Sequence, residues 1–207
     1  LTAYAKSKVN AEKDLEKISD DNFIVTCLRF ATACGMSPRL RLDLVLNDFV
    51  TSALVNKEIN ILSDGKPWRP LIHVKDMSRA INWAIKRELK NGGKFIAVNT
   101  GSNNWNYQVS DLAEATGEII KGISIKINKD AQPDKRSYKV NFDYFNSLAP
   151  EFQPQISLKD AISDLLNGLE SNNFNNKDFR NSEYIRLNKL NNLKQMGYLD
   201  LNLNWKR

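Results

Sequence analysis

The sequence is poor in the residue types that build metal and disulfide sites. Its 207 residues include two cysteines and a single histidine, His73. Cys27 and Cys34 lie in or next to one apolar segment, and neither is spaced from His73 as zinc ligands are. We therefore predict no metal site. Reduced thiols in a cytoplasmic protein are the simplest interpretation of the cysteines.

Long apolar runs and clusters of one charge sign are also absent. No run approaches the roughly 18 apolar residues of a membrane span, and no signal peptide is visible, so we expect no membrane partner. The formal charge is +6, but the basic residues are scattered among acidic ones. Neither a polybasic run nor an aromatic–basic pattern appears. We expect no nucleic-acid partner, and keep such binding only as a minor hypothesis raised by the net charge.

Along the chain, segments with strand-like apolar spacing alternate with segments with helix-like apolar spacing. The patterns predict strands over residues 23–30, 59–62, 68–74, 94–99 and 123–127, with a small-residue loop over 31–35. They predict helices over residues 3–19, 43–55, 109–120 and 157–166, a short one around 185–193, and one that Asp76 caps. Strands that alternate with helices indicate an α/β fold.

The first helix carries a pair of residues suited to proton transfer. Tyr4 and Lys8 are four positions apart, so on a helix they share a face. A cation beside a phenol lowers the phenol pKa from about 10, which makes Tyr4 a candidate acid/base group. The alternative is a surface tyrosine with a lysine one turn on, which is common in a lysine-rich chain.

Four segments together resemble the extended short-chain dehydrogenase/reductases, the NAD-dependent epimerases and dehydratases that act on nucleotide-sugars. In order they are residues 4–8 (YAKSK), 28–35 (LRFATACG), 64–76 (DGKPWRPLIHVKD) and 95–101 (FIAVNTG). A lone Tyr-x-x-x-Lys is weak evidence, whereas four segments in register are strong. The resemblance covers about the first 170 residues.

The resemblance implies the C-terminal part of a Rossmann-type doubly wound parallel sheet with a smaller α/β substrate-binding domain. Residues 1–36 and 72–102 would be what remains of the NAD-binding domain. Residues 37–71 and 103–170 would form the nucleotide-sugar domain, and 171–207 a C-terminal extension.

The resemblance also implies the residues that handle the cofactor. Tyr4 would move the proton of a sugar hydroxyl while hydride passes to or from nicotinamide. Lys8 would lower the phenol pKa and bind the nicotinamide ribose. Ala31 and Thr32 would lie near the nicotinamide, Thr32 also near the reacting sugar. NAD is the expected cofactor, with NADP as the alternative.

A second set of residues would bind the nucleotide-sugar. Arg69 matches the arginine that grips the diphosphate, and Arg136 looks like a second phosphate-facing arginine with Tyr138 near the nucleotide. Asn47 is a looser match. The alternatives are an edge-strand surface arginine for Arg69, a solvated loop for Arg136 and a plain helix-surface residue for Asn47.

One expected part of the family pattern is missing. A doubly wound nucleotide-binding domain begins with a strand, a Gly-rich turn and a helix, and residues 1–30 contain nothing of that kind. We therefore expect a fragment or truncated product of an epimerase, dehydratase or related reductase, for which the resemblance makes a homodimer plausible. The alternative is a non-catalytic module that binds a nucleotide-sugar or a partner protein. Tight NAD binding by a 207-residue chain of verified mass would contradict the fragment interpretation.

Overall fold

The computed structural model describes residues 2–131 and 137–206, which form seven α-helices and seven strands. The helices are α1 (Ala3–Ile18), α2 (Val45–Asn56), α3 (Val74–Lys86), α4 (Val109–Ile119), α5 (Asp143–Leu148), α6 (Leu158–Ser171) and α7 (Arg186–Gln195). The strands are β1 (Val25–Phe30), β2 (Thr32–Cys34), β3 (Glu58–Ile61), β4 (Trp68–His73), β5 (Phe95–Thr100), β6 (Asn106–Gln108) and β7 (Ser124–Ile127). Among these helices, none has the length and apolar composition that a bilayer crossing requires.

The described strands form three small sheets. β1 and β5 pair in parallel, with Val25 opposite Phe95 and Phe30 opposite Thr100. β3 and β7 also pair in parallel, and β4 lies between β2 and β6 in the third sheet. Parallel pairs need crossover connections, here supplied by helices. The predicted α/β fold with parallel strands is confirmed.

The chain divides into two compact units. The first unit comprises Leu1–Ala33, Trp68–Tyr107 and Tyr138–Ile156, and the second comprises Cys34–Pro67, Gln108–Ser137 and Ser157–Arg207. Each unit gathers three separate stretches of chain, so each depends on contacts between residues distant in sequence. The assignment of cofactor and substrate roles to parts of the chain stays a prediction.

The core of the first unit lies between the β1–β5 sheet and the helices α3 and α5. Trp83 of α3 meets Phe145 of α5 edge to face, with ring centroids 5.6 Å apart. Ile96 and Val98 of β5 are buried against them. A β-branched strand surface packed against aromatic rings is typical of the covered face of a parallel sheet.

The second unit has a helical core around α2. This helix buries an apolar face that includes Leu46, Phe49 and Val50, and it packs against α4 and α6. α6 contributes Ile162 and Leu165, both fully buried. Because α2, α4 and α6 each present apolar residues at helical spacing, the three faces bury one another.

A buried guanidinium ties the start of β1 to the turn before β5. Arg87 is 6% exposed, and its Nη2 donates to the Val25 carbonyl at 2.9 Å. Its Nε donates to Thr26 Oγ1 at 2.8 Å and its Nη1 to the carbonyls of Asn91 and Gly93. Burial lowers the pKa of Arg87.

Two local predictions about the strands are wrong. The small-residue stretch over 31–35 is not a simple loop, because Thr32–Cys34 is a strand that pairs with β4. β1 begins at Val25 rather than at residue 23, since the preceding residues form a turn in which Asp20 and Phe23 exchange backbone hydrogen bonds. One helix end also differs from its prediction. α6 runs five residues past the predicted end at 166, to Ser171.

Asp76 does not cap its own helix as predicted. His73 is the N-cap of α3, and its Nδ1 accepts a hydrogen bond from the Lys75 amide at 3.2 Å. The buried Asp76 carboxylate instead accepts hydrogen bonds from the amides of Gln155 and Ile156, at 2.9 and 3.2 Å. It therefore ties α3 to a segment almost 80 residues further along the chain.

Arg87→Met should destabilise the protein by about 2–4 kcal/mol, because it leaves buried carbonyls without their charged donor. Urea unfolding followed by circular dichroism measures the change. Lys86→Met is the matched control, since Lys86 is exposed at the neighbouring position. Equal effects of the two substitutions would contradict the role given to Arg87.

Candidate functional site

Tyr4 and Lys8 lie together on the exposed side of α1. The helix begins after Thr2, whose Oγ1 accepts a hydrogen bond from the Ala5 amide at 3.2 Å. Lys8 Nζ lies 5.5 Å from the centroid of the Tyr4 ring, and Tyr4 is 74% exposed. The predicted side-by-side placement is confirmed. Both side chains are accessible to a ligand, and their chemical role stays a prediction.

α1 is attached to the sheet through an ion pair rather than a buried face. Of its sixteen residues, all of which the structure describes, none is buried. Arg29 of β1 donates from Nε to Glu12 Oε1 at 2.8 Å and from Nη2 to Glu12 Oε2. The hydrogen bond from Arg29 lowers the pKa of Glu12, and burial raises the pKa of the nearby Cys27 thiol. The helix that carries Tyr4 is therefore positioned by a partly exposed ion pair.

Ala31 and Thr32 lie where β1 passes directly into β2. The Ala31 amide donates to the Thr100 carbonyl at 3.1 Å, which extends the pairing of β1 with β5 by one residue. Thr32 opens β2, which is hydrogen-bonded to β4, the strand that carries Arg69. Both residues are half-buried. Their contacts with nicotinamide and sugar stay predictions.

Arg69 and Tyr138 meet at one backbone carbonyl. The oxygen of Trp68 accepts a hydrogen bond from Arg69 Nη1 at 2.8 Å and another from the Tyr138 amide at 3.4 Å. β4 is the middle strand of its sheet, so the edge-strand position considered for Arg69 is wrong. Arg69 is half-buried and the Tyr138 side chain is 51% exposed. Two of the predicted substrate residues therefore share one place in the first unit.

Lys139 joins this group, although no motif in the sequence points to it. Its Nζ lies 3.6 Å from the centroid of the Trp68 ring. A cation over an indole face is held by the quadrupole of the ring, so Lys139 adds a second positive charge beside Arg69. Its position directly after Tyr138 is the only signal that pointed to it. Arg136 lies outside the described residues.

Asn47 holds a loop in the second unit. It is 2% exposed, its Oδ1 accepts from the Gly35 amide at 3.1 Å, and its Nδ2 donates to the Arg41 carbonyl at 2.9 Å. The alternative of a plain helix-surface residue is therefore wrong. Its contact with a sugar-nucleotide stays a prediction. Within residues 2–131 and 137–206, no three His, Cys, Asp or Glu side chains cluster as metal ligands do.

The family of the first part of the chain follows from its sequence pattern. Residues 1–101, which contain Tyr4, Lys8, Thr32 and Arg69, match the model of the NAD dependent epimerase/dehydratase family. The match covers just under half of the 207-residue chain. The resemblance of the four segments is thereby confirmed, since all of them lie within the matched range.

Solved structures share the fold at low sequence identity. The Helicobacter pylori ADP-L-glycero-D-manno-heptose-6-epimerase is 17% identical, with a TM-score of 0.67 over 82% of this chain and 52% of that one. The Bacillus cereus UDP-glucuronic acid 4-epimerase, solved with UDP-glucuronic acid and NAD, is 20% identical, with a TM-score of 0.56 over 70% and 44%. The NAD-dependent NDP-hexosamine 5,6-dehydratase TunA is 18% identical, with a TM-score of 0.64 over 84% and 55%. The chain thus spans about half the length of the structures that it matches.

Glu12→Gln should lower stability near neutral pH, and the loss should diminish as the pH falls through the lowered pKa of Glu12. Because the folded-state pKa of Glu12 lies below its usual value of 4.5, the ion pair stabilises the protein above that value. The contribution is lost as the pH falls through the lowered pKa. We expect about 0.5–1 kcal/mol at neutral pH, since Arg29 is largely exposed. Urea unfolding at about pH 7 and about pH 3 measures the difference.

Glu16→Gln is the control for this substitution. Glu16 lies one turn further along α1 and is exposed. It is expected to change stability little at either pH. A loss that persists at the acidic pH, or an equal loss in the control, would show that the Glu12 carboxylate does not act through Arg29.

Proposed function

We propose that this sequence carries the acid/base and diphosphate-binding residues of an NAD-dependent epimerase or dehydratase that acts on a nucleotide-diphosphate sugar. The observation that carries the proposal is the exposed Tyr4–Lys8 pair at the start of the family-matched residues 1–101. A merely structural tyrosine would be expected to bury its ring, whereas Tyr4 offers both ring and hydroxyl to a ligand. Exposure alone also fits an incidental surface tyrosine, so the weight against that alternative comes from the family match of residues 1–101, which contain both Tyr4 and Lys8.

The proposed chemistry begins with removal of a proton from a sugar hydroxyl. NAD, when bound, would supply the hydride acceptor for the carbon of that hydroxyl. Tyr4 is proposed as the general base that takes the hydroxyl proton, so that the carbon–oxygen single bond becomes the double bond of a ketone. Lys8 places a positive charge beside the phenol and would help to hold the cofactor through its ribose. Thr32 is proposed to orient the reacting sugar.

The diphosphate of the substrate is proposed to bind beside Trp68. Arg69 presents a planar guanidinium suited to phosphate oxygens, and Lys139 adds a second cation next to it. Tyr138 directly precedes Lys139 in the chain and is proposed to lie along the nucleotide. Arg136 retains its proposed phosphate-facing role from the sequence. The Bacillus cereus relative, solved with a UDP-sugar and NAD, supports this class of ligand.

Tyr4→Phe tests the proposal in a version of the protein that includes a dinucleotide-binding half. Loss of general acid/base catalysis should lower kcat/KM by about 10²- to 10⁴-fold while nucleotide-sugar binding is kept. Conversion of nucleotide-sugars, followed by chromatography, together with absorbance of reduced cofactor, measures the effect.

Two variants control for the loss of a hydroxyl and of a charge. Tyr198→Phe removes a hydroxyl from a tyrosine that is 56% exposed, and Lys6→Met removes an exposed charge from the same helix as Lys8. Both should keep full turnover, whereas Lys8→Met should lose it. Unchanged turnover in Tyr4→Phe would refute the catalytic role.

The basic group around Trp68 favours a second candidate function, a non-catalytic nucleotide-sugar-binding module. Arg69, Tyr138 and Lys139 are gathered there without any contribution from α1. Calorimetry of the 207-residue chain with a UDP-sugar, with and without NAD, separates the two functions. Binding that is independent of NAD and lost in Arg69→Gln would support the module, whereas enhancement by NAD would support the enzyme.

A further inference from the structure

A basic cleft in the second unit is built from residues that the proposed function does not use. It has a volume of about 390 Å³, within the range of small-molecule pockets. One wall is the segment 38–41, and the other is the segment 183–189 at the start of α7, outside the family-matched residues 1–101. The polar and aromatic lining consists of Arg39, Arg41, Glu183, Tyr184, Arg186 and Lys189.

The second wall is anchored to α2. Arg180 forms a two-pronged ion pair with Asp48, with N–O distances of 2.8 and 2.7 Å, and the neighbouring Phe179 is fully buried. Asn188 Nδ2 donates to the carbonyls of Arg180 and Ser182, at 3.0 and 3.3 Å. These contacts fix the turn that precedes α7, so the cleft is a positioned surface rather than a loose tail.

The cleft carries an excess of positive charge. Its four cations face two carboxylates: Glu183, which accepts from Lys189 Nζ at 2.6 Å, and Asp43 at its margin, which pairs with Arg41. The hydrogen bond from Arg41 is the main cause of the lowered pKa of Asp43, and the charge of Arg186 contributes to it. Within the described part of the chain, Arg39 makes no ion pair and no side-chain hydrogen bond. Two positive charges therefore remain for an external anion.

An aromatic ring stands beside these charges. Tyr184 is 44% exposed, and its ring packs edge to face on Phe174 with centroids 5.5 Å apart. Because Phe174 contacts the ring from one side, the ring is held in place while much of its surface stays open to a ligand. A phosphate held by arginine, next to a face on which a planar group stacks, is the chemistry that recognises a nucleotide.

We infer that the cleft between segments 38–41 and 183–189 binds a nucleoside monophosphate, with Arg39 and Arg186 on the phosphate and the base stacked on Tyr184. This site is independent of the proposed diphosphate site at Arg69, and its ligand is a second molecule rather than the sugar substrate. Stacking on Tyr184 distinguishes a nucleotide from a plain sugar phosphate, because a sugar phosphate has no base and would contact only the arginines.

Isothermal calorimetry of the 207-residue chain with UMP, ribose 5-phosphate and uridine tests the inference. UMP should bind more tightly than either part alone. Arg39→Gln combined with Arg186→Gln should weaken UMP binding at least about tenfold, the loss expected for charge-assisted phosphate contacts. Tyr184→Leu should reduce the affinity for UMP to that for ribose 5-phosphate, and leave ribose 5-phosphate binding unchanged.

The matched control removes two charges from the same unit away from the cleft. Lys121 and Lys159 are exposed, and the double substitution Lys121→Gln and Lys159→Gln should leave UMP affinity unchanged. The inference is overturned if this control loses as much affinity as the cleft variant, or if UMP shows no binding up to about 10 mM.

Arg69→Gln distinguishes this site from the proposed active site. In the Arg69→Gln background, the Arg39 and Arg186 substitutions should still weaken UMP binding at least about tenfold, because the cleft does not involve Arg69. If Arg69→Gln abolishes UMP binding while the Arg39 and Arg186 variant retains it, the nucleotide binds in the first unit. That result refutes the cleft and leaves the proposed function standing.

Discussion

The first unit depends on one buried cation. Arg87 connects the opening residues of β1 to the turn from which β5 emerges, and a parallel pair has no hairpin to set its register. Because its donors are directed at main-chain carbonyls on both sides, a slip of either strand would leave a buried charge without partners. The placement of Ala31 and Thr32 at the far end of β1 follows from this register. Arg87 thus helps to set the position of Ala31 and Thr32, the two residues that we propose to lie near the cofactor.

Features that depend on neighbouring residues could be predicted from the sequence, whereas contacts between distant segments could not. The Tyr4–Lys8 pair was predictable because four-residue spacing on a helix fixes it without any other part of the chain. β2 was missed because three small residues become a strand only through their pairing with β4. Asp76 was misread for a similar reason. Its spacing fits a helix cap, but its partners are amides of residues 155 and 156, whose proximity no local pattern shows.

The candidate site combines both kinds of information. The sequence pattern chose Arg69 and Tyr138 separately, and the structure joins them through the carbonyl of Trp68. Lys139 is added to the site only by the structure, which places its Nζ over the indole ring of Trp68. For Asn47 the structure shows the opposite. The oxygen and the nitrogen of its side-chain amide are both hydrogen-bonded to the loop over residues 35–41. A motif therefore identifies residue types, whereas the fold decides which of their atoms remain open to a ligand.

The attachment of α1 has a consequence for hydrogen exchange. A helix with no buried residue loses little apolar contact when it opens, so its amides should exchange through local fluctuations that cost much less than global unfolding. The amides of β5, in the core of the first unit, should report the global transition instead. Added salt weakens the Glu12–Arg29 attachment and should speed exchange in α1 while leaving β5 unaffected. The proposed catalytic tyrosine thus belongs to a weakly protected helix, which a bound ligand would be expected to order.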